Sequence, residues 1–150
     1  MRITEEYIGK LKSLVAALHQ RDENTIAVLS APAIRWKVEQ EYGNLETINR
    51  LCNKANEEAV YHNIRKIVLH KTTVFKITDD IVQVSGDYDL VCTRVSMIFR
   101  ICYEILATYQ NGMLLYLQLF KVRGNDSITH IVRARGAGRS GKSQDSIILL

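Results

Sequence analysis

Two long apolar runs, SMIFRICYEILATYQ (96–110) and MLLYLQLFKV (113–122), flank Asn111-Gly112. Both central positions of a two-residue hairpin turn need positive φ, which Asn and Gly adopt at least cost, so the stretch reads as an antiparallel hairpin. A strict two-residue turn pairs Gln110 with Met113 and, counting back, Ala107 with Tyr116, Ile105 with Gln118, Tyr103 with Phe120 and Glu104 with Leu119. One face then carries Tyr103, Ile105, Tyr116, Gln118 and Phe120, and the other Glu104, Leu106, Leu115, Leu117 and Leu119. Neither alternates apolar with polar as a sheet with one wet side would. Both faces are therefore expected to be covered.

The 150 residues make one domain's worth of chain, enough to bury about 70% of the unfolded surface. A 47% apolar and 24% charged composition is that of a globular protein. The net charge of +4 gathers partly in a short basic segment (Arg133, Arg135, Arg139, Lys142), so residues 1–122 are not expected to contact nucleic acid directly. Three cysteines without paired spacing (Cys52, Cys92, Cys102) read as reduced thiols of a cytoplasmic protein. No apolar run is long enough for a membrane span.

Along the chain, Ile3, Tyr7, Leu11, Leu14, Val15 and Leu18 recur at helical spacing. Asp22 caps a second, shorter helix that must stop before Pro32. Ile34, Trp36 and Val38 then alternate with Arg35 and Lys37 as a short strand, and a third helix is expected over 45–59. From Ile64 the period changes to two. One strand runs to Ile77, Asp79-Asp80 turns it, and Val82, Val84, Gly86, Tyr88, Leu90 and Cys92 alternate with Gln83, Ser85, Asp87 and Asp89 in the next. Gly86 marks a bulge or bend there, and Asp87 and Asp89 fall on the solvated side. A short strand at Ile128–Val132 and a Gly/Ser/Arg segment precede Ser146–Leu150. Helices first and long antiparallel strands after is an α+β plan.

That order resembles the SnoaL-like and ketosteroid-isomerase-like superfamily, the cone-shaped fold also called cystatin-like. Helix 5–20, IRWKV after the proline break, helix 45–59, VQVSGDYDLVC and CYEILATYQNGMLLYLQLFKV carry the resemblance, which spans residues 3–122. It implies three helices closing one face of a strongly curved, mainly antiparallel sheet over a conical pocket, with the other face joining a homodimer. From Thr129 onward, HIVRARGAGRSGKSQDSIILL is similar to the opening strands of LytTR-type DNA-binding domains. The likeness implies a SnoaL-like domain at 1–122, an extension at 123–150, and a sensory role in a bacterial transcription regulator.

The chemistry legible in the residues is sparse. Gly136–Ser143 fits the phosphate-cradling pattern G-x-x-x-x-G-K-[ST], but the preceding IVRAR is no buried parallel strand, so the segment reads as a basic connector. Glu104 is the one carboxylate placed mid-strand among apolar neighbours; it would be the general base of a cofactor-independent isomerase, lyase or cyclase, or else the ion-pair partner of Lys121 or Arg100. His19, His62, His70 and His130 lack ligand spacing, so neither a metal nor a cofactor is expected, and His70 is expected at an edge or on the surface. Trp36, Tyr88, Tyr103, Tyr116 and Phe120, with Gln118 as a polar anchor, form the expected lining for a small apolar or aromatic ligand. Core packing is the competing account for each aromatic. The expected function is accordingly non-catalytic: ligand binding, dimerisation, or both.

Overall fold

A computed structural model describes residues 2–60, 62–122 and 146–150. Helix α1 (Arg2–His19) leads into α2 (Glu23–Leu29), whose N-terminus is capped by Asp22: its Oδ1 accepts from the Thr25 amide at 3.2 Å. Strand β1 (Ser30–Val38) follows at once. Its pairing with the neighbouring strand lapses between Ser30 and Arg35, so Pro32 has no ladder hydrogen bond to lose. Strand β2 (Glu41–Asn44), not foreseen in the sequence, doubles back on β1. Gly43 is required there because the Trp36 ring lies against it; a Cβ would sit 2.1 Å from Trp36 Cζ2.

The helix expected over 45–59 is three pieces: a 3-10 turn (Leu45–Thr47), α3 (Ile48–Ala55) and a second 3-10 turn (Glu57–Ala59). The break falls at Asn56, whose side chain donates back to the Cys52 carbonyl at 2.7 Å and across to Leu18 O at 2.9 Å. Four strands follow: β3 (Asn63–Lys76), β4 (Ile81–Arg94), β5 (Met97–Gln110) and β6 (Met113–Lys121). After the undescribed residues comes β7 (Ser146–Leu149). The described strands form one curved sheet in the order β2-β1-β6-β5-β4-β3-β7, antiparallel except where β1 meets β6. Thus the end of the extension set apart in the sequence pairs with β3 in the same sheet. The strand expected at Ile128–Val132, the Gly136–Ser143 segment and most of the stretch resembling a LytTR-type domain lie outside the described residues. No helix among the described residues is long and apolar enough to cross a membrane.

The hairpin turn is as expected, with Asn111 at φ 51° and Gly112 at φ 81°. Its register is not. Tyr109 pairs Leu114, but Thr108 already pairs Tyr116, so Leu115 is an extra residue and every later pair shifts by one. Ala107 faces Leu117, Ile105 faces Leu119 and Glu104 faces Phe120. A strict register would hold Leu117 and Leu119 outside and turn Tyr116 and Gln118 inward. The bulge reverses that parity and buries both leucines completely. Each such burial is worth roughly 1.5–3 kcal/mol, which outweighs one interrupted rung. A second bulge lies on β3 at Lys71 (φ 47°), opposite the Gly86 that the sequence marks; a Cβ at Gly86 would approach His70 O to 3.2 Å.

Candidate functional site

The helices and the inner sheet face enclose a core that includes Leu11, Leu14, Leu18, Ile34, Leu51, Ile67, Leu90 and Leu114. Polar groups in this interior are costly unless each finds a partner. His19, at the end of α1, is 5% exposed and bonds through both ring nitrogens, Nδ1 to Asn56 Oδ1 at 3.0 Å and Nε2 to the Tyr88 hydroxyl at 2.6 Å. Because the Asn56 amide nitrogen donates to two carbonyls, its oxygen faces His19; Nδ1 therefore carries the proton and Nε2 accepts from Tyr88. Burial pulls the His19 pKa down to about 4, only partly opposed by the Asn56 bond. Burial likewise pushes Tyr88 well above the usual tyrosine range, with Tyr103 adding to it. The imidazole is thus held neutral.

Tyr88 stacks on Tyr103 with ring centroids 5.1 Å apart, and the Tyr103 hydroxyl donates to Ala55 O at 3.0 Å. Tyr103 is 4% exposed and lines the edge of an open concavity. There a cleft of about 450 Å³ lies between the end of β1, the 3-10 turn after α3, and β5–β6. Its rim is charged and internally paired: Lys54 with Glu57 at 3.2 Å, Lys121 with Glu58 at 3.9 Å, and Glu41 with Arg50. Glu39 stands at the lip in the left-handed region (φ 55°), where its amide donates to Leu119 O and its carboxylate accepts from the Lys121 amide at 2.5 Å. A non-glycine residue held there is strain that the surrounding bonds must maintain.

The six residues expected to line one pocket divide three ways. Tyr103 reaches the cleft. Trp36 and Tyr88 are fully buried, Trp36 with its indole N–H on Asn44 O at 3.1 Å. Tyr116, Gln118 and Phe120 lie on the outer sheet face, because the Leu115 bulge turns them out; the Tyr116 hydroxyl donates to Gln118 Oε1 at 2.7 Å. Glu104 is on that outer face too, exposed. Neither of the ion pairs expected as its alternative role forms: Lys121 meets Glu58 and Arg100 meets Asp89.

Asp89, expected in solvent, is 5% exposed and accepts from Arg100 Nη1 at 2.7 Å and from His70 Nε2 at 3.1 Å. Burial alone would raise its pKa, but the bonds from His70, Cys102 and Arg100, with the attraction of His70, bring it down to about 2. His70, expected at an edge or on the surface, lies one residue beyond the β3–β7 ladder and is partly buried against Asp89. Among the described residues no cluster of three potential ligands could hold a metal ion. Sequence reasoning misses His19 and Asn56 as site residues, although each sits on the buried stripe of its helix, directly after Leu18 and four residues after Cys52.

No family model matches the chain, and no curated protein does. Solved structures do. A crystal structure of an NTF2-like protein from Cytophaga hutchinsonii superimposes with a TM-score of 0.58 at 16% identity, over 81% of this chain and all of that one. A ketosteroid isomerase-like protein from Erwinia carotovora atroseptica gives 0.56 at 10% identity, covering 73% of this chain and 88% of its own. The structure of LinA gives 0.55 at 14% identity, covering 79% and 90%. At such identities the likeness is one of backbone architecture: this chain has the cone fold of the NTF2-like and ketosteroid-isomerase-like proteins.

Proposed function

We propose that the domain binds a small molecule in the cleft over Tyr103 and performs no chemistry on it. The observation that carries this reading is Tyr103 itself, an aromatic floor fixed from behind by Tyr88 and Ala55 at the base of an open, charge-rimmed concavity. Such a mixture of apolar floor and convergent polar groups is the usual composition of a ligand site. Two features favour binding over catalysis. His19 spends both nitrogens inside the core, and Glu104 lies on the opposite side of the sheet from the cleft.

Of the four leucines on which a partner surface was expected, Leu117 and Leu119 belong to the core, while Leu106 and Leu115 remain half-buried outside it. A role in transcription regulation rests on the resemblance of residues 129–150, of which Ser146–Leu149 already serve this sheet. Ligand binding is therefore the function offered. Native mass spectrometry of protein purified from its host should show a retained small molecule that a Tyr103→Ala variant loses. A bare protein mass, together with no saturable response from Tyr103 when a small-molecule panel is titrated, would sink the proposal.

A further inference from the structure

Strands β4 and β5 are joined by a two-residue turn: Arg94 pairs Met97, which leaves Val95 and Ser96 at the tip. Val95 has a positive φ of 58° and Ser96 does not, the pattern of a type II′ turn, whose first central position favours glycine. A β-branched residue there is strained by its own side chain. Packing does not offset that strain, because Val95 is 98% exposed. Met97 and Ile98 follow on opposite faces of β5, 50% and 48% exposed. Exposed Val60 stands nearby, two residues before His62, whose ring lies on Phe99 with centroids 4.8 Å apart. This end of the sheet is also basic. Asn63 pairs Thr93, so the start of β3 lies beside the tip and sets Arg65 and Lys66 behind it with Arg94. No acidic residue occurs in β3 or between Asp89 and Glu104. The carboxylates just before Val60, Glu57 and Glu58, are paired with Lys54 and Lys121.

We propose that this hairpin end docks on an anionic lipid surface, with Val95, Met97 and Ile98 entering the headgroup layer and Arg94, Arg65 and Lys66 meeting lipid phosphates. Shape and charge together select the occupant. A convex aliphatic tip offers no groove to a peptide or small molecule, whereas the boundary between headgroups and acyl chains accepts aliphatic side chains without a matching pocket. The basic residues behind the tip suit a negatively charged leaflet, which attracts each Lys or Arg held within a Debye length of it. A second copy packed tip to tip would bring the same cations together. Valine where the turn favours glycine, left in water, breaks two local rules at one residue, as sequences do where function requires it. The tip shares no residue with the Tyr103 cleft and stands or falls independently of it.

The test is co-sedimentation of the full chain with vesicles of phosphatidylcholine alone and of phosphatidylcholine and phosphatidylglycerol in about equal parts. Saturable binding to the mixed vesicles is expected, at least about tenfold weaker on phosphatidylcholine alone and similarly weakened in the Arg65→Gln, Arg94→Gln double variant. The Val95→Gly, Met97→Ser variant should stay folded, since glycine suits the turn and Met97 is half exposed, yet lose the binding. No binding to the mixed vesicles, equal binding to both kinds, or unchanged binding by the folded Val95→Gly, Met97→Ser variant would overturn the proposal. So would a dimer in sedimentation velocity that this variant abolishes, since a second copy would then be the occupant.

Discussion

Tyr88 and Asp89 are consecutive in β4 and point to opposite sides of the sheet, yet both are buried and both are polar. The inner group is solved by neutral chemistry: Tyr88, His19 and Asn56 exchange hydrogen bonds with one assigned direction each, and no charge is present. The outer group is solved by ions, a carboxylate between a guanidinium and an imidazole. The difference follows from what surrounds them. A helix-covered interior penalises any charge heavily, whereas a sheet's outer side leaves Arg100 and His70 enough contact with water for an ion pair to repay its desolvation. The inner network should therefore be vulnerable to loss of a bond or gain of a proton, and the outer one to loss of a charge.

Asn56→Ala should cost the most. It removes one of two hydrogen bonds from each of the Leu18 and Cys52 carbonyls, which keep the Arg21 and residue-56 amides, and leaves the His19 Nδ1–H buried without an acceptor, a loss of about 4 kcal/mol from two net bonds and one unsatisfied donor. Urea unfolding followed by the fluorescence of the single tryptophan, Trp36, measures it directly. A cost below about 1 kcal/mol would show that the network is ornamental to stability.

Acid should come next. Unfolded, His19 takes up a proton below its ordinary 6.5; folded, it does so only below about 4. The unfolded state binds more protons throughout that interval, so stability is greatest above pH 6.5 and falls by about 3 kcal/mol on the way to pH 4. Asp89, lowered from 3.8 to about 2, adds its loss only below pH 3.8. A His19→Asn variant should be less stable at neutral pH yet nearly flat from pH 6.5 to 4. An unchanged slope in that variant would mean that other groups carry the acid sensitivity. Asp89→Asn should cost less, about 2 kcal/mol, because the amide keeps the shape and a hydrogen bond while leaving the mostly buried Arg100 without its counter-charge. Its signature is the disappearance of the stability loss below pH 3.8.

The contrast between the two faces also separates what the residues announce locally from what only the folded chain decides. Elements with local causes are legible in the sequence: the Asp22 cap, the Asn111-Gly112 turn, the alternation of Val82 to Cys92. The Leu115 bulge is not, because the turn residues favour the strict register and only the competition among Leu117, Leu119, Tyr116 and Gln118 for the interior decides against it. One extra residue moves Gln118 and Phe120 out of the expected pocket. The break at Asn56 and the pairing of His19 with Tyr88 join residues 37 and 69 positions apart, which no local pattern encodes. Asp89 follows the alternation faithfully; alternation assigns a side of the sheet and does not say whether that side is wet.

Glu104→Gln gives the smallest effect and the sharpest test of how the outer face differs from the inner. Substitutions of His19, Asn56 or Tyr88 inside should destabilise, since each of these groups is bonded. Glu104 is exposed, faces Asp87 across the rung and has no partner among the described residues, so neutralising it removes a repulsion and breaks nothing. The variant should gain a few tenths of a kcal/mol at pH 7 and low salt. Raising the salt should shrink the gain, because screening already weakens an exposed pair. A loss of stability on this substitution would instead mean that Glu104 is engaged in the folded chain.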